Sequence, residues 1–290
     1  SIVDENMDIC QKIFADMDVI KFREIKSQMG DSLKAFIVFC GGMVNTDEIS
    51  NNIIKPLIVS KFEKNTDIEA IIKGTLQVVD FATTDSFDKV VESVMYGETV
   101  LFIEGCKMAA ILYTKQYALR AVEEPENEKV ISGPREGFTE SLMQNLTLII
   151  RRVRTNELKT KVLIVGRRTK TTVCVCYLDS LVDKGMLKDI INRISAIEID
   201  GILDSNYITE LIADHRYSYF RTTGYSERPD CIVAKLLEGR AAILVDGSPM
   251  VLTVPYLFIE NFQSSEDYYF SFYYSSFARM LRMAAFLLTI

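Results

Sequence analysis

The sequence holds a single histidine, His215 in ADHRYSYF, where it follows helical periodicity and caps a helix end as readily as it would act as a base. The six cysteines, Cys10, Cys40, Cys106, Cys174, Cys176 and Cys231, show no zinc spacing. Only Cys174 and Cys176 are close, and on a strand they point to one face. All six read as reduced, mostly buried small hydrophobes in a reducing compartment. No Gly-x-Ser-x-Gly elbow and no nucleophilic Cys signature is present, so the expectation is a chain without enzymatic activity, cofactor or metal. Cationic excess is also lacking. Lys plus Arg at 33 against Asp plus Glu at 40 gives a net charge of −7, which argues against nucleic acid as a partner. No signal peptide opens the polar, acidic residues 1–10, and the absent initiator Met suggests a fragment or a processed start.

One stretch looks like a phosphate-binding loop and fails the test. VLIVGRRTKTT, residues 162–172, places Lys170 before a threonine without the glycine that precedes it in a phosphate loop. A basic hairpin turn is the better reading.

What the sequence does have is a repeat. RPDCIVAKLLEGRAAILVDGSPMVLTV, residues 228–254, reads as a helix opened by proline, a stop at Gly239, a strand, an Asp246-Gly247 turn and a second strand. A fainter copy, SFDKVVESVMYGETVLFIEGCKMAAILY, covers residues 86–113. Gly97, Gly105 and Met108 lie 142 positions before Gly239, Gly247 and Met250, and Glu104 stands where Asp246 does. Asp246-Gly247 and Glu104-Gly105 read as paired turns.

The preceding elements repeat at an offset of 138, with Phe39 matching Tyr177 and Ile49 matching Leu187. In the first half a helix is expected over 4–15, strands over 21–26 and 33–40, and a helix from a cap at Asn45 to about Val59. A short helix follows over 68–76, then one capped by Thr84 or Asp85 and ending at Gly97. The second half is expected to hold a helix over 138–153, strands over 161–166 and 172–178, a helix from Asp183 to Ile194, and a turn and helix within 197–212. The fold class is therefore α/β, as two similar subdomains, each a small mixed sheet flanked by helices. The expected boundaries are 1–120 and 137–265, joined by an acidic linker over 121–136 that contains EEPENE. Two lobes so joined form either a hinge and ligand cleft or a rigid pair with no ligand.

Several charged residues invite pairing. Glu227 and Arg228 precede Pro229-Asp230, with Arg135 or Glu266 as prospective partners. Arg135 and Glu136, in GPREGF, lead into a helix, and Arg135 suits bidentate capture of a carboxylate, a structural ion pair being favoured over a ligand clamp. Glu266 and Asp267 read as solvated or capping carboxylates. The tail is aromatic: residues 268–277, YYFSFYYSSF, carry seven aromatics in ten, followed by Arg279, Arg282 and AAFLLTI. The apolar end falls short of the roughly 20 residues that span a bilayer. Either the chain is cut at a membrane or a terminal helix packs on the core, and on the residues alone the packed helix is favoured.

KVISGPREGFTESLMQNL, YSERPDCIVAKLLEGRAAILVDGSPMVLTVP and SSEDYYFSFYYSSFARMLRMAAF resemble the A-subunit family of bacterial spore germinant receptors. The resemblance is specific from Lys129 to the end, and a paralogous late-sporulation membrane protein shares the blocks. It implies a cytoplasmic domain of two lobes similar to substrate-binding proteins, followed by a multi-helix membrane domain. It makes residues 266–290 a juxtamembrane helix, reversing the reading above. It further implies the inner spore membrane, other receptor subunits as partners, and a response to nutrients that ends in ion and dipicolinate release. Arg279 and Arg282 before the apolar end fit the cytoplasmic side. Arg135, Glu136, Glu227, Arg228, Asp230, Asp246, Glu266 and Asp267 are the candidate ligand or coupling residues. A nutrient-binding sensor and an assembly module that self-associates or docks on sister subunits are the two working alternatives.

Overall fold

The computed structural model describes residues 2–26, 34–59, 67–116, 128, 134–213, 221–263, 267 and 269–289. The residues between the strands expected over 21–26 and 33–40, nearly all of the acidic linker up to residue 133, His215 and Glu266 lie outside the described residues. Two compact units are formed, Ser1–Leu119 with Val153–Lys161, and Arg120–Arg152 with Val162–Ile290. Val153–Lys161 is stitched into the first unit by Thr160, whose N–H donates to Asp16 O at 2.9 Å and whose carbonyl accepts from Asp18 N.

In the first unit, helix α1 (Ile2–Ile13) precedes strands β1 (Ile20–Lys26) and β2 (Lys34–Cys40). Then come α2 (Thr46–Glu48), a π-helical stretch Ile49–Ile54, α3 (Lys55–Val59), α4 (Ile68–Thr75), β3 (Phe81–Thr84), α5 (Phe87–Tyr96), β4 (Thr99–Ile103) and β5 (Ala109–Leu112). The sheet order is β1-β2-β4-β5-β3, every pairing antiparallel. The second unit runs α6 (Leu142–Ile150), the last four residues of β6 (Leu158–Val165), whose first four belong to the first unit, β7 (Thr171–Leu178), α7 (Lys184–Ser195), α8 (Ser205–Ile212), β8 (Gly224–Ser226), α9 (Pro229–Leu237), β9 (Ala241–Val245) and β10 (Val251–Val254). Its order, β6-β7-β9-β10-β8, is that of the first sheet taken strand for strand. Helix α10 (Phe272–Thr289) ends the chain. Two similar α/β subdomains are thus present, their sheets built from hairpins and antiparallel neighbours.

Each sheet is covered on both faces, which is why β4 and β9 are buried at every position. One face of the first sheet, through Ile37, Leu101 and Ala110, packs on Ile49, Ile53, Leu57 and Ile72 of the helices between β2 and β3. Val173, Val175 and Ile243 pack in the same way on Leu187, Ile190 and Ile208. Cys174 and Cys176 are fully buried thiols outside any disulfide, and burial drives the Cys176 thiol well above its ordinary value.

Three expectations change on folding. Asn45 caps α2 as expected, its side-chain oxygen accepting from the N–H groups of Asp47 and Glu48 at 3.1 and 3.0 Å. The expected single helix, however, winds as a π-helix in its middle. Pro56 has no N–H to return to Asn52, and the released Asn52 carbonyl accepts instead from Gln77 N at 3.3 Å. The helix expected over 138–153 shrinks to Leu142–Ile150, because Phe138 N donates to Glu227 O at 2.7 Å and Thr139 N to Asn145 Oδ1 at 2.7 Å, holding residues 138–141 extended. Ser86, rather than Thr84 or Asp85, is the N-cap of α5, since Thr84 closes a strand too short to be read from sequence.

Candidate functional site

The densest buried charge in the described residues gathers around α9. Pro229 opens this helix without loss of a hydrogen bond, and Gly239, at φ +85°, turns the chain away from it. A side chain at Gly239 would lie 2.7 Å from the Leu181 carbonyl, so glycine is required twice over. At the helix start, Arg228 is wholly buried. Its backbone N–H donates to Ser226 Oγ, and its guanidinium grips Asp230 through Nε at 3.1 Å and Nη2 at 2.6 Å. The Tyr269 ring lies 5.6 Å from the guanidinium, and the Tyr269 hydroxyl donates to the same carboxylate. Burial pushes Asp230 up, but these hydrogen bonds outweigh it and hold the carboxyl below its ordinary range. Burial and the bond to Asp230 push the Tyr269 phenol up to about 12. Arg228 Nη1 finds no hydrogen-bond partner among the described residues. A buried, half-satisfied cation is destabilising unless its neighbours are fixed, which makes this position demanding.

Two more carboxylates extend the network. Glu260, buried in the turn Phe258–Phe262, takes Lys235 at 2.6 Å and also Arg240, and accepts from Leu257 N. Burial is again outweighed, here by Lys235 first, and the carboxyl sits low. Asp267 accepts from Arg279 Nε at 3.0 Å and from Arg282 Nη1 and Nη2 at 2.9 and 3.1 Å. Its carbonyl accepts from Ser275 Oγ. Arg282 also donates to Phe262 O at 3.0 Å, and Phe286 meets Phe262 and Phe258 edge to face at 5.3 and 6.0 Å. The turn that carries Glu260 is therefore the seat of α10.

Beside this network opens a cavity of about 400 Å³ between β8, β10, the start of α9 and that turn, lined by Glu128, Tyr225, Ser226, Lys235, Tyr256 and Glu260 among others. Glu128 accepts from Ser226 Oγ at 2.6 Å, and burial pushes its carboxyl up despite that bond. A smaller cavity of about 260 Å³ occupies the equivalent place in the first unit, where Ala82, Ser93 and Ile111 stand for Gly224, Lys235 and Thr253.

The residues expected from sequence distribute unequally. Arg228, Asp230 and Asp267 belong to the network, and Glu227 is buried beside it. Arg228 pairs with Asp230, and Arg135 is exposed. Glu136 is bound by Arg151 and Arg152, two ion pairs at the C-terminal end of α6. Asp246 does more than turn the chain: its Oδ1 accepts from Leu142 N at 3.2 Å, capping α6 from 104 residues away. Glu104 does the same for α1, accepting from Val3 N at 3.3 Å. Lys170 sits in a tight turn, its N–H bonded to Gly166 O, as a basic hairpin requires. Tyr269, Glu260, Lys235 and Arg240 were not expected; only the acid–aromatic crowding before α10 hints at them.

The Bacillus/Clostridium GerA spore germination protein family matches residues 8–290. Relatives include the Uncharacterized membrane protein YfkQ of Bacillus subtilis (strain 168), 38% identical over 96% of this chain and 54% of its own length. Spore germination protein KA of the same organism is 35% identical over 97% of this chain and 52% of its own length. The chain spans about half the length of these relatives. Among solved structures, the N-terminal domain of the A subunit of the Bacillus megaterium spore germinant receptor GerK3 aligns with a TM-score of 0.69 at 28% identity, over 88% of this chain and 95% of that one. The chain belongs to the GerA spore germination family.

Proposed function

We propose that this member of the germination family is the N-terminal part of a germinant receptor A subunit, working on the core side of the inner spore membrane as a coupling module rather than a catalyst. Residues 266–290 then form the joint to a membrane part, and other receptor subunits are the partners. One observation carries this reading. Helix α10 is fixed on one side by Asp267 and the Phe258–Phe262 turn while its opposite side stays apolar and uncovered, with Tyr273 at 85% and Leu288 at 88% exposure. Both arginines of the helix are spent on Asp267, so no charge is left to solvate that side. Among the described residues no helix is long and apolar enough to cross a membrane. A helix clamped at one face and apolar at the other suits a lever between a folded domain and a second body, whose two positions a signal would bias.

The clamp is the place to test it. In spores carrying the full-length protein with Asp267→Asn, nutrient-triggered dipicolinate release should slow severely while the protein stays at normal abundance by immunoblot. Asp267→Glu should restore part of the response. Should abundance fall, Arg282→Lys keeps the charge but loses the two-pronged grip, and serves as the deciding variant. Normal germination kinetics at normal abundance for both Asp267→Asn and Arg282→Lys would end the coupling reading.

A further inference from the structure

We propose that the cavity of the second unit binds a small uncharged polyol. The residue that points to a guest is Thr253. It is 4% exposed, and its hydroxyl has no hydrogen-bond partner among the described residues. Thr253 faces Gly224 across β10 and β8, and a Cβ on Gly224 would lie 2.8 Å from Thr253 Oγ1. The hydroxyl therefore stands on the sheet face that looks into the cavity, which Gly224, Ile232 and Lys235 also line. A buried hydroxyl needs its hydrogen bonds completed, and here the cavity must complete them. The fold itself does not require the group. In the first unit the equivalent position, 142 residues earlier, is Ile111, with Ala82 opposite it in place of Gly224. Ile111 is just as buried, at 4% exposure, and lines a cavity of only about 260 Å³. The twin fills this place with hydrocarbon, whereas the second unit keeps space and a hydroxyl.

The other walls favour hydrogen bonding without charge. Their ionic groups are answered by the chain: Lys235 holds Glu260 at 2.6 Å, Glu128 accepts from Ser226 and feels the charge of Arg228, and Arg221 lies 5.6 Å from the Tyr225 ring. An ionic guest would have to compete with these contacts, while a neutral one need only exchange hydrogen bonds with water. Asn261 and Gln263 add amides to the lining. Hydroxyls and amides both donate and accept, which matches a guest bearing a hydroxyl on each carbon. Tyr256 lies flat against β8, since a Cβ on Gly224 would stand 2.5 Å from its ring, and that ring suits the C–H side of such a guest. The volume of about 400 Å³ falls within the range of small-molecule pockets, roughly 300–1,000 Å³. The assignment goes beyond the coupling role, which stands or falls on the α10 variants.

Titration of the 290-residue chain with mannitol and with xylitol, followed by calorimetry and saturation-transfer NMR, tests it. At least one should saturate at millimolar concentration, and gluconate, their carboxylate counterpart, should bind more weakly. Thr253→Val keeps the shape of the side chain and removes the hydroxyl. It should weaken binding about fivefold or more, yet leave the unfolding midpoint of the free chain unchanged or higher, because no bond within the chain is lost. Gly224→Ala, which gives this unit the residue of its twin, should abolish binding by crowding Tyr256 and Thr253. The proposal is overturned if neither polyol saturates, if gluconate binds as tightly, or if both variants keep the parent affinity. A marked loss of stability in Thr253→Val would also overturn it, since the hydroxyl would then serve the fold.

Discussion

After the left-handed glycine that ends α5 the first unit places Glu98, whereas the second unit, after the equivalent glycine of α9, places Arg240. The backbones around them are alike: Glu98 N donates to Ser93 O and Arg240 N to Lys235 O. The side chains are opposites. Glu98 is buried with the Ser93 hydroxyl and the charge of Lys115 for company, while Arg240 joins Lys235 on Glu260. Apolar periodicity and glycine positions preserve a topology through duplication because each sheet must still be covered on both faces. Charge placement is under no such constraint. In the second unit it has been turned to one use, fixing the turn on which α10 sits. The second unit is thus the one whose charges seat α10.

If the cores are equivalent, matched truncations should cost the same. Leu101 and Ile243 lie 142 positions apart, and both are completely buried. Leu101→Ala and Ile243→Ala should each destabilise their own unit by about 4 kcal/mol, measured by urea unfolding with hydrogen exchange to assign the unit affected. A cost for one well under half that of the other would break the equivalence of the two cores.

The helix starts should not match. Arg228→Ala leaves Asp230 without its cation and should cost about 3 kcal/mol. Ser86, at the corresponding N-cap of α5, makes no side-chain capping bond, and Ser86→Ala should cost less than about 0.5 kcal/mol. Equal losses in thermal unfolding would show that the buried arginine is no more than a substitute cap.

A smaller, symmetric effect belongs to the long-range caps. Asp246→Ala and Glu104→Ala each remove the acceptor for the first turn of α6 or α1, at about 1 kcal/mol apiece. Exchange rates of amides at the start of α6 and α1 would report it, and an effect in one unit only would mean the two turns have diverged in role.

These residues also show where sequence stops being informative. The repeat, the turn glycines and the Asn45 and Asp183 caps were legible because each obeys a local rule of period, φ or spacing. The edge strands Phe81–Thr84 and Gly224–Ser226 were not, since three or four residues carry no period and their pairing is decided by β5 and β10. Of the site, Arg228 and Asp230 were legible as charged residues at a helix start, but their grip on each other and on Tyr269, 39 residues away, is a tertiary fact. Asp267 reads from the sequence as a solvated or capping acid because its partners, Arg279 and Arg282, face it only once α10 has formed.

The opposite charges after the two glycines should separate the units along the pH axis. Glutamate ordinarily titrates at 4.5. Burial holds folded Glu98 above that value, outweighing the Ser93 hydroxyl and Lys115, so its ionised form costs stability at neutral pH. That cost fades as pH falls through the raised folded value toward 4.5. For Glu260, Lys235 and the other donors outweigh burial and hold the folded carboxyl low. Its stabilisation is present above 4.5 and is lost only as pH falls through the depressed folded value. Acidification therefore relieves the first unit before it weakens the second. Glu98→Gln should raise stability slightly at neutral pH and give no gain at or below 4.5, whereas Glu260→Gln should lower it at neutral pH and converge on the parent in stronger acid. Urea midpoints across that range decide the matter, and parallel curves for the two variants would mean that the charge reversal between the units has no energetic consequence.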